Sequence, residues 1–319
     1  MFALGMYAVI GFAMRTQLVP SLPRTRIGMT AEVSALPEVT AAPQVLTLFD
    51  PKTRSRVVLV GTMHFNPYSI ALARGVVETE AAAGRLRAVA VESCPSRWNA
   101  TLYAQPPGSM LRLVCDNEMQ AAAEAAEAEG VSLALVDQTI EEVGRRVVQM
   151  AALTFVELLT PWNGGWSRIG EDLAIALRQV GGGDDGTDGA SLGVNAFLDP
   201  RILAGLPLSL IRYPLSIGLK SPALLSAIAL AFYGTYMLDM ATEDSLGEFA
   251  GAAAFAVVET IFLGRLLLVV LLEERNFVLA RNIRKACFAS KKPGGSIVAV
   301  LGMAHLNGVA ALLRDSRVV

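Results

Sequence analysis

Histidine is nearly missing from this chain of 319 residues: there are 2, beside 28 glycines and 29 acidic residues. Imidazole is the commonest metal ligand and the usual general base near neutral pH. Chemistry of either kind therefore has only His64 and His305 to draw on. Cysteine is scarce as well. Cys94, Cys115 and Cys287 show no CxxC spacing, and an odd count supports neither a disulfide framework nor a zinc ribbon. A reducing compartment is the mild inference. No HExxH occurs, which excludes a zinc site built on one helix. Charge is thin: 18% of residues, against about 25% in ordinary soluble domains. With a net charge of −2 and no dense basic stripe, nucleic-acid binding has little support.

What is present is apolar. Hydrophobic residues make up 53% of the chain, and mean hydropathy is +0.47. Either the core is large or part of the chain meets a membrane. The two histidines close the same short motif. Gly61-Thr62-Met63-His64 follows Val57–Val60, and Gly302-Met303-Ala304-His305 follows Ile297–Leu301. Each reads as a buried strand, a glycine permitting a tight turn, and a histidine at the strand end. At this glycine content, both histidines would carry Gly at minus three by chance in roughly one chain in a hundred. A single GxxH is weak; the pair is informative, provided folding brings the two together.

Along the chain, Met1–Met14 is uncharged and followed by Arg15, Arg24 and Arg26. Residues 1–40 read as a leader, either an organellar transit peptide (mitochondrion or plastid) or a disordered extension. A secretory signal would place its positive charge first. Residues 41–319 read as one α/β domain. Val45–Phe49 and Arg56–Val60 predict a hairpin. Asn66-Pro67 predicts a helix start, Ala88–Glu92 and Ser132–Val136 two more strands, and Glu118–Glu129 and Ile140–Leu159 two helices. This alternation predicts a mixed, largely parallel sheet with flanking helices. A glycine-rich acidic loop over 181–189 lacks the ligand ladder of a calcium site and reads as a linker. A hydrophobic helical insertion, about 202–272, precedes the last strand. Ser221–Leu238 has no charge and Phe249–Leu272 holds Glu259 and Arg265. A membrane hairpin and a set of buried helices or a dimer interface both fit. Arg212, Pro207 and Pro214 argue against a further span over Ile202–Leu219.

His64, Glu92, Asp137 and His305 all fall at the carboxyl ends of strands, where parallel sheets place ligands. Two imidazoles and the Glu92 carboxylate make a plausible shell for a divalent transition metal. Glu92 is alternatively the base that takes a proton from water. Asp137 either orients a histidine or caps the helix from Ile140. Arg97 and Arg275 are candidates for holding a carboxylate or a developing oxyanion. Cys94 has no further histidine to serve as its base.

Five elements in order resemble the TraB/PrgY family. These are Val58–His64, Val91–Arg97, Asp137–Ile140, Glu274-Arg275-Asn276 with Ala280 and Ile283, and Val300–Val309. Gln138 and Asn276 replace charged residues of the family pattern. The resemblance extends to the GumN, Tiki and ChaN-like group, and implies an α/β core with paired GxxH motifs and an acidic partner. It implies a metal-dependent hydrolase of the peptidase type using manganese, cobalt or zinc. His64, His305 and Glu92 would be ligands, Glu92, Arg275 and Arg97 catalytic groups, and Asp137 and Glu274 supports behind them. It also implies a peptide or protein substrate, membrane association and an organellar setting. The alternative is a non-catalytic membrane protein that binds peptides or tethers organelles. A third reading makes both histidines structural and the apolar helices a homodimer interface.

Overall fold

The computed structural model describes residues 42–181, 191–222, 226, 229, 230, 233, 246–290 and 295–317. The leader over 1–40, the loop after Gly181 and most of the uncharged stretch Ser221–Leu238 lie outside them. Five strands form one sheet in the order β1-β2-β5-β3-β4. They are β1 (Val45–Asp50), β2 (Ser55–Thr62), β3 (Leu86–Val91), β4 (Ser132–Leu135) and β5 (Ser296–Gly302). β1 pairs antiparallel with β2, and the remaining pairs are parallel. The fold is α/β, with a mixed, largely parallel sheet flanked by helices.

Period-two alternation sorts each central strand between two cores. Val57, Leu59, Ile297, Ala299 and Leu301 face one way. Val58, Val60, Val298 and Val300 face the other. On that second face lie α1 (Pro67–Ala82) and, after the short α2 (Pro95–Ala104) and α3 (Met110–Val114), α4 (Glu118–Ala128). The chain continues through α5 (Ile140–Leu159), α6 (Gly165–Gly181), α7 (Val194–Phe197), α8 (Pro200–Lys220) and α9 (Leu246–Arg265). A π-helical stretch, Leu266–Glu273, runs straight into α10 (Glu274–Ala289). α10 and α11 (Leu306–Arg314) cover the first face through Leu279, Ile283, Leu306 and Leu313.

The helix after β2 thus leaves toward one face and the helix after the neighbouring β5 toward the other. Their divergence opens a crevice at the carboxyl ends of adjacent strands, the usual ligand position in such sheets. Both GxxH motifs end there, with Gly61 paired to Leu301 and Thr62 to Gly302.

The charges read from the insertion fall among helices. Arg265 is fully buried and ion-paired to Glu157 and Asp172, so low solvation is offset by two carboxylates. α8 runs on through Pro207 and Pro214. It is long and apolar enough to cross a membrane by length and composition, a test that core helices also pass. Its inner face is docked: Asn66 Nδ2 donates to the Ile202 carbonyl at 2.9 Å, and a Cβ on Gly205 would collide with the same Asn66.

At the amino ends of the strands, far from the crevice, Glu80 is fully buried. It accepts from Arg56 at 3.0 Å, Arg85 at 2.8 Å and Ser296 at 2.7 Å. Burial alone would raise its pKa, but bonds from Arg85 and Ser296 and the charges of Arg56 and Arg85 hold it below 4.5. A depressed folded-state pKa gives stability that is present above the unfolded value and lost as pH falls through the folded one. Glu80→Ala is expected to cost about 3 kcal/mol, the lower end for breaking a buried pair because both arginines reach solvent. Denaturant unfolding at pH 7 and below pH 4.5 checks it. The gap between the two proteins should narrow in acid; a gap independent of pH would refute the ionic origin.

Candidate functional site

His64 is placed by tight local geometry. Met63 N–H donates to Ser69 Oγ at 3.0 Å, and Asn66 caps α1 by accepting from Tyr68 and Ser69 N–H. Phe65 between them has φ 61°, a left-handed conformation that a bulky side chain adopts at a cost of order 1–3 kcal/mol. Its N–H donates to Glu118 Oε2 at 3.1 Å, which holds it there. The other oxygen of Glu118 accepts from His64 Nδ1 at 2.5 Å. Glu118 therefore fixes both the ring and the backbone that carries it. Burial would lower the His64 pKa, but the charge and hydrogen bond of Glu118, with Glu92 adding, lift it from 6.5 to about 9.

His305 is set the same way from the other face. Its Nδ1 donates to Asn276 Oδ1 at 2.8 Å, while Asn276 Nδ2 donates to Gln179 at 3.0 Å. A Cβ on Gly308 would run into Asn276, so glycine there lets the amide reach the ring. Both histidines thus have Nδ1 committed to an acceptor and Nε2 turned inward. His305 Nε2 lies 3.4 Å from Glu92 Oε1. His305 is buried, whereas the His64 side chain is 39% exposed; one ring is sealed and the other meets the cleft.

Gly302 marks where they converge. A Cβ there would lie 3.4 Å from Glu92 Oε2, 3.6 Å from His305 Cδ2 and 3.8 Å from His64 Nε2. Neither motif glycine has positive φ, so the tight-turn reading gives way to a packing one. Gly302 leaves room at the centre. Gly61 admits Leu306, which a Cβ would meet at 2.8 Å.

Glu92 accepts from Gly302 N–H at 2.7 Å and from Arg275 Nη2 at 2.5 Å. Burial would raise its pKa, but His305, then Arg275 and His64, hold it well below the usual carboxylate range. Arg275, brought in immediately after the π-helical stretch, also reaches Asp137 through Nε at 3.1 Å. Asp137 takes a second ion pair from Arg97. It supports the two arginines and contacts neither histidine. The cap of α5 is Thr139, in a reciprocal capping box with Glu142. Glu274 pairs with Arg146, 2.8 Å from its Nε.

His64 and Glu92 open into a cleft of about 320 Å³. Phe65, Trp98, Met119, Tyr213 and Ile217 make its apolar walls, and Arg97 and Lys220 line it as well. Tyr213 stacks beside His64 with ring centroids 6.1 Å apart and meets Phe65 edge-on at 5.9 Å. The apolar insertion thus builds one wall of the site.

Sequence reasoning missed Glu118, Tyr213 and Lys220, and read Asn276 only as a departure. One signal was available for Glu118. α4 runs antiparallel to the strands, so an acid in its first turn sits at the strands' carboxyl ends. Among the described residues, no group of three or more His, Cys, Asp or Glu stands close enough to hold a metal ion. The residue types are nonetheless those of a metal shell, two imidazoles and a carboxylate around a side-chain-free position; a metal there would displace the proton that Glu118 favours on His64 and draw the three groups together. No protein-family model matches the chain, and no curated protein gives a significant match.

Proposed function

We propose that the crevice is the active site of a metal-assisted hydrolase acting on peptide bonds, with His64, His305 and Glu92 holding a divalent transition metal. The observation that carries this reading is the paired orientation of the imidazoles. Each has Nδ1 tied to an acceptor; His305 Nε2 lies 3.4 Å from Glu92, and His64 Nε2 faces Gly302, 3.8 Å from where a Cβ would stand. Ligand histidines are commonly oriented through their second nitrogen in this way. A metal held there would acidify a bound water and polarise a carbonyl. Glu92, which accepts from Gly302 N–H and Arg275 and lies beside His305, serves as a ligand or as the base that takes a proton from the water. Arg275 offsets negative charge developing beside Glu92, and Arg97 keeps Asp137 and hence Arg275 in place. The apolar walls suit a side chain of a peptide, and the TraB/PrgY resemblance supports that substrate class.

The binding-protein reading has its own support. Glu92 is already ion-paired to Arg275, and α8 exposes Leu203, Leu208, Leu210, Ile211 and Leu215 on its outer side, an apolar stripe suited to a membrane surface.

Elemental analysis of the full chain, purified in mild detergent, separates the two, together with mass-spectrometric screening of a peptide library. About one metal ion per chain and chelator-sensitive cleavage support the hydrolase. No metal after reconstitution with manganese, cobalt and zinc, and no cleavage, would give the site to the binding reading.

A further inference from the structure

Lys220 is the last residue of α8 and lines the same cleft as His64 and Glu92. Most other cations around the site are ion-paired, Arg97 and Arg275 to Asp137 and Glu92, Arg112 to Asp116 and Glu124, and Arg201 to Asp199, while Arg212 donates to the Phe65 carbonyl at 3.5 Å. Lys220 differs. Among the described residues it enters no ion pair, and its ammonium lies 5.9 Å from the centre of the Phe65 ring. Glu118 acts on it only from further off, since both Glu118 oxygens are engaged by His64 and the Phe65 N–H.

A half-buried ammonium facing an apolar cleft is poorly solvated. Burial accordingly depresses the Lys220 pKa below that of an ordinary lysine. A ligand anion would restore the lost solvation and form a charge-assisted hydrogen bond. Phe65, Tyr213, Ile217 and Met119 line the same cleft and would receive an apolar side chain next to that anion. At about 320 Å³ the cleft is small, at the lower end of the ~300–1,000 Å³ usual for ligand pockets. Such a volume suits one apolar side chain with the group beside it.

We infer that Lys220 is the recognition residue for a C-terminal carboxylate, and that the cleft takes the carboxyl-terminal end of a peptide with an apolar last side chain. This rests on the hydrolase reading for its reaction and names the substrate class: peptides with a free carboxyl end. The scissile bond then lies toward His64 and Glu92, which line the cleft, with the terminal carboxylate held at the α8 side.

The test uses N-terminally fluorescein-labelled Gly-Ala-Leu-Phe as the free acid and as the amide, with Gly-Ala-Leu-Glu amide as a third probe. Binding is read by anisotropy and cleavage by chromatography, on wild type, Lys220→Met and Lys220→Arg. Wild type should favour the free acid by roughly tenfold or more. Lys220→Met should bring acid and amide level, and Lys220→Arg should keep part of the preference. Acid and amide bound alike by wild type, no binding of either, or a preference that survives Lys220→Met would each overturn the assignment. So would a glutamate amide bound as tightly as the free acid, because a side-chain carboxylate would then serve equally. Acid-selective, Lys220-dependent binding without cleavage would sink the hydrolase and leave the subsite standing. Cleavage with no acid preference would do the reverse.

Discussion

His64→Ala and His305→Ala are each expected to lose the bound metal and to lower kcat/KM by ~1,000-fold or more, some 4 kcal/mol of transition-state stabilisation. The two should be equally severe although the rings differ in exposure, because each would supply one ligand to the same metal. Their supports should behave differently. Glu118→Gln and Asn276→Leu leave the ligands in place but release their orientation, so ~10–100-fold losses in metal affinity or activity are expected. Glu118→Gln has a second consequence. With its carboxylate gone, the His64 pKa should fall from about 9 toward the range of an ordinary imidazole, which NMR titration of the ring reads directly. Full activity in His305→Ala, with metal retained, would falsify the shared-site mechanism. A two-histidine chain offers no substitute ligand of that type.

Arg275→Met is expected to be the most destabilising substitution at the site. The Arg275 side chain is largely buried and bridges Glu92 and Asp137, whose side chains are essentially inaccessible. Removing the guanidinium leaves Glu92 without its ion pair and Asp137 dependent on Arg97 alone. Breaking a buried pair in this way costs about 3–5 kcal/mol, on the order of 10 °C in Tm. Arg275→Lys should recover little, since one ammonium cannot reproduce a fork spanning two carboxylates. The measurement is thermal and denaturant unfolding of the three proteins. It should be repeated with added zinc or manganese, because a cation bound at Glu92 would return part of the lost stability. Wild-type stability in Arg275→Met would mean that the ion pairs contribute no net energy and that Arg275 is kept for chemistry alone.

The central strands could be read from sequence because they are almost wholly buried. β2 and β5 are continuous apolar runs, and Val57–Val60 and Val298–Leu301 are inaccessible. No polar face was needed to recognise them. Helix starts were legible for a local reason: Asn66 bonds to the N–H groups two and three residues ahead. The strand-end positions of His64, Glu92 and His305 followed from the same runs. The roles of the motif glycines did not. Sequence suggested turns, whereas close packing favours glycine at 61 and the Gly302 position, where a Cβ would make ordinary contacts, stands between Glu92 and the two rings. Asp137 was read as a cap or a histidine support, and tertiary contacts made it the anchor of Arg97 and Arg275.

The chain by itself thus determined an α/β architecture, the strand ends and the identity of several of the polar groups at the site, because burial pattern and capping act over a few residues. Only the tertiary structure decided what each group does. β5 inserts between β2 and β3, which brings His305 beside Glu92 from more than 200 residues away, the Glu92–Gly302 bond alone spanning 210. Glu118 reaches His64 across 54 residues and Asn276 reaches His305 across 29. α8, apolar enough to suggest a membrane, supplies Tyr213 and Lys220 to the cleft. Such pairings depend on which helix packs on which face of the sheet. That choice is made by the summed burial of whole elements, which no short stretch of sequence encodes.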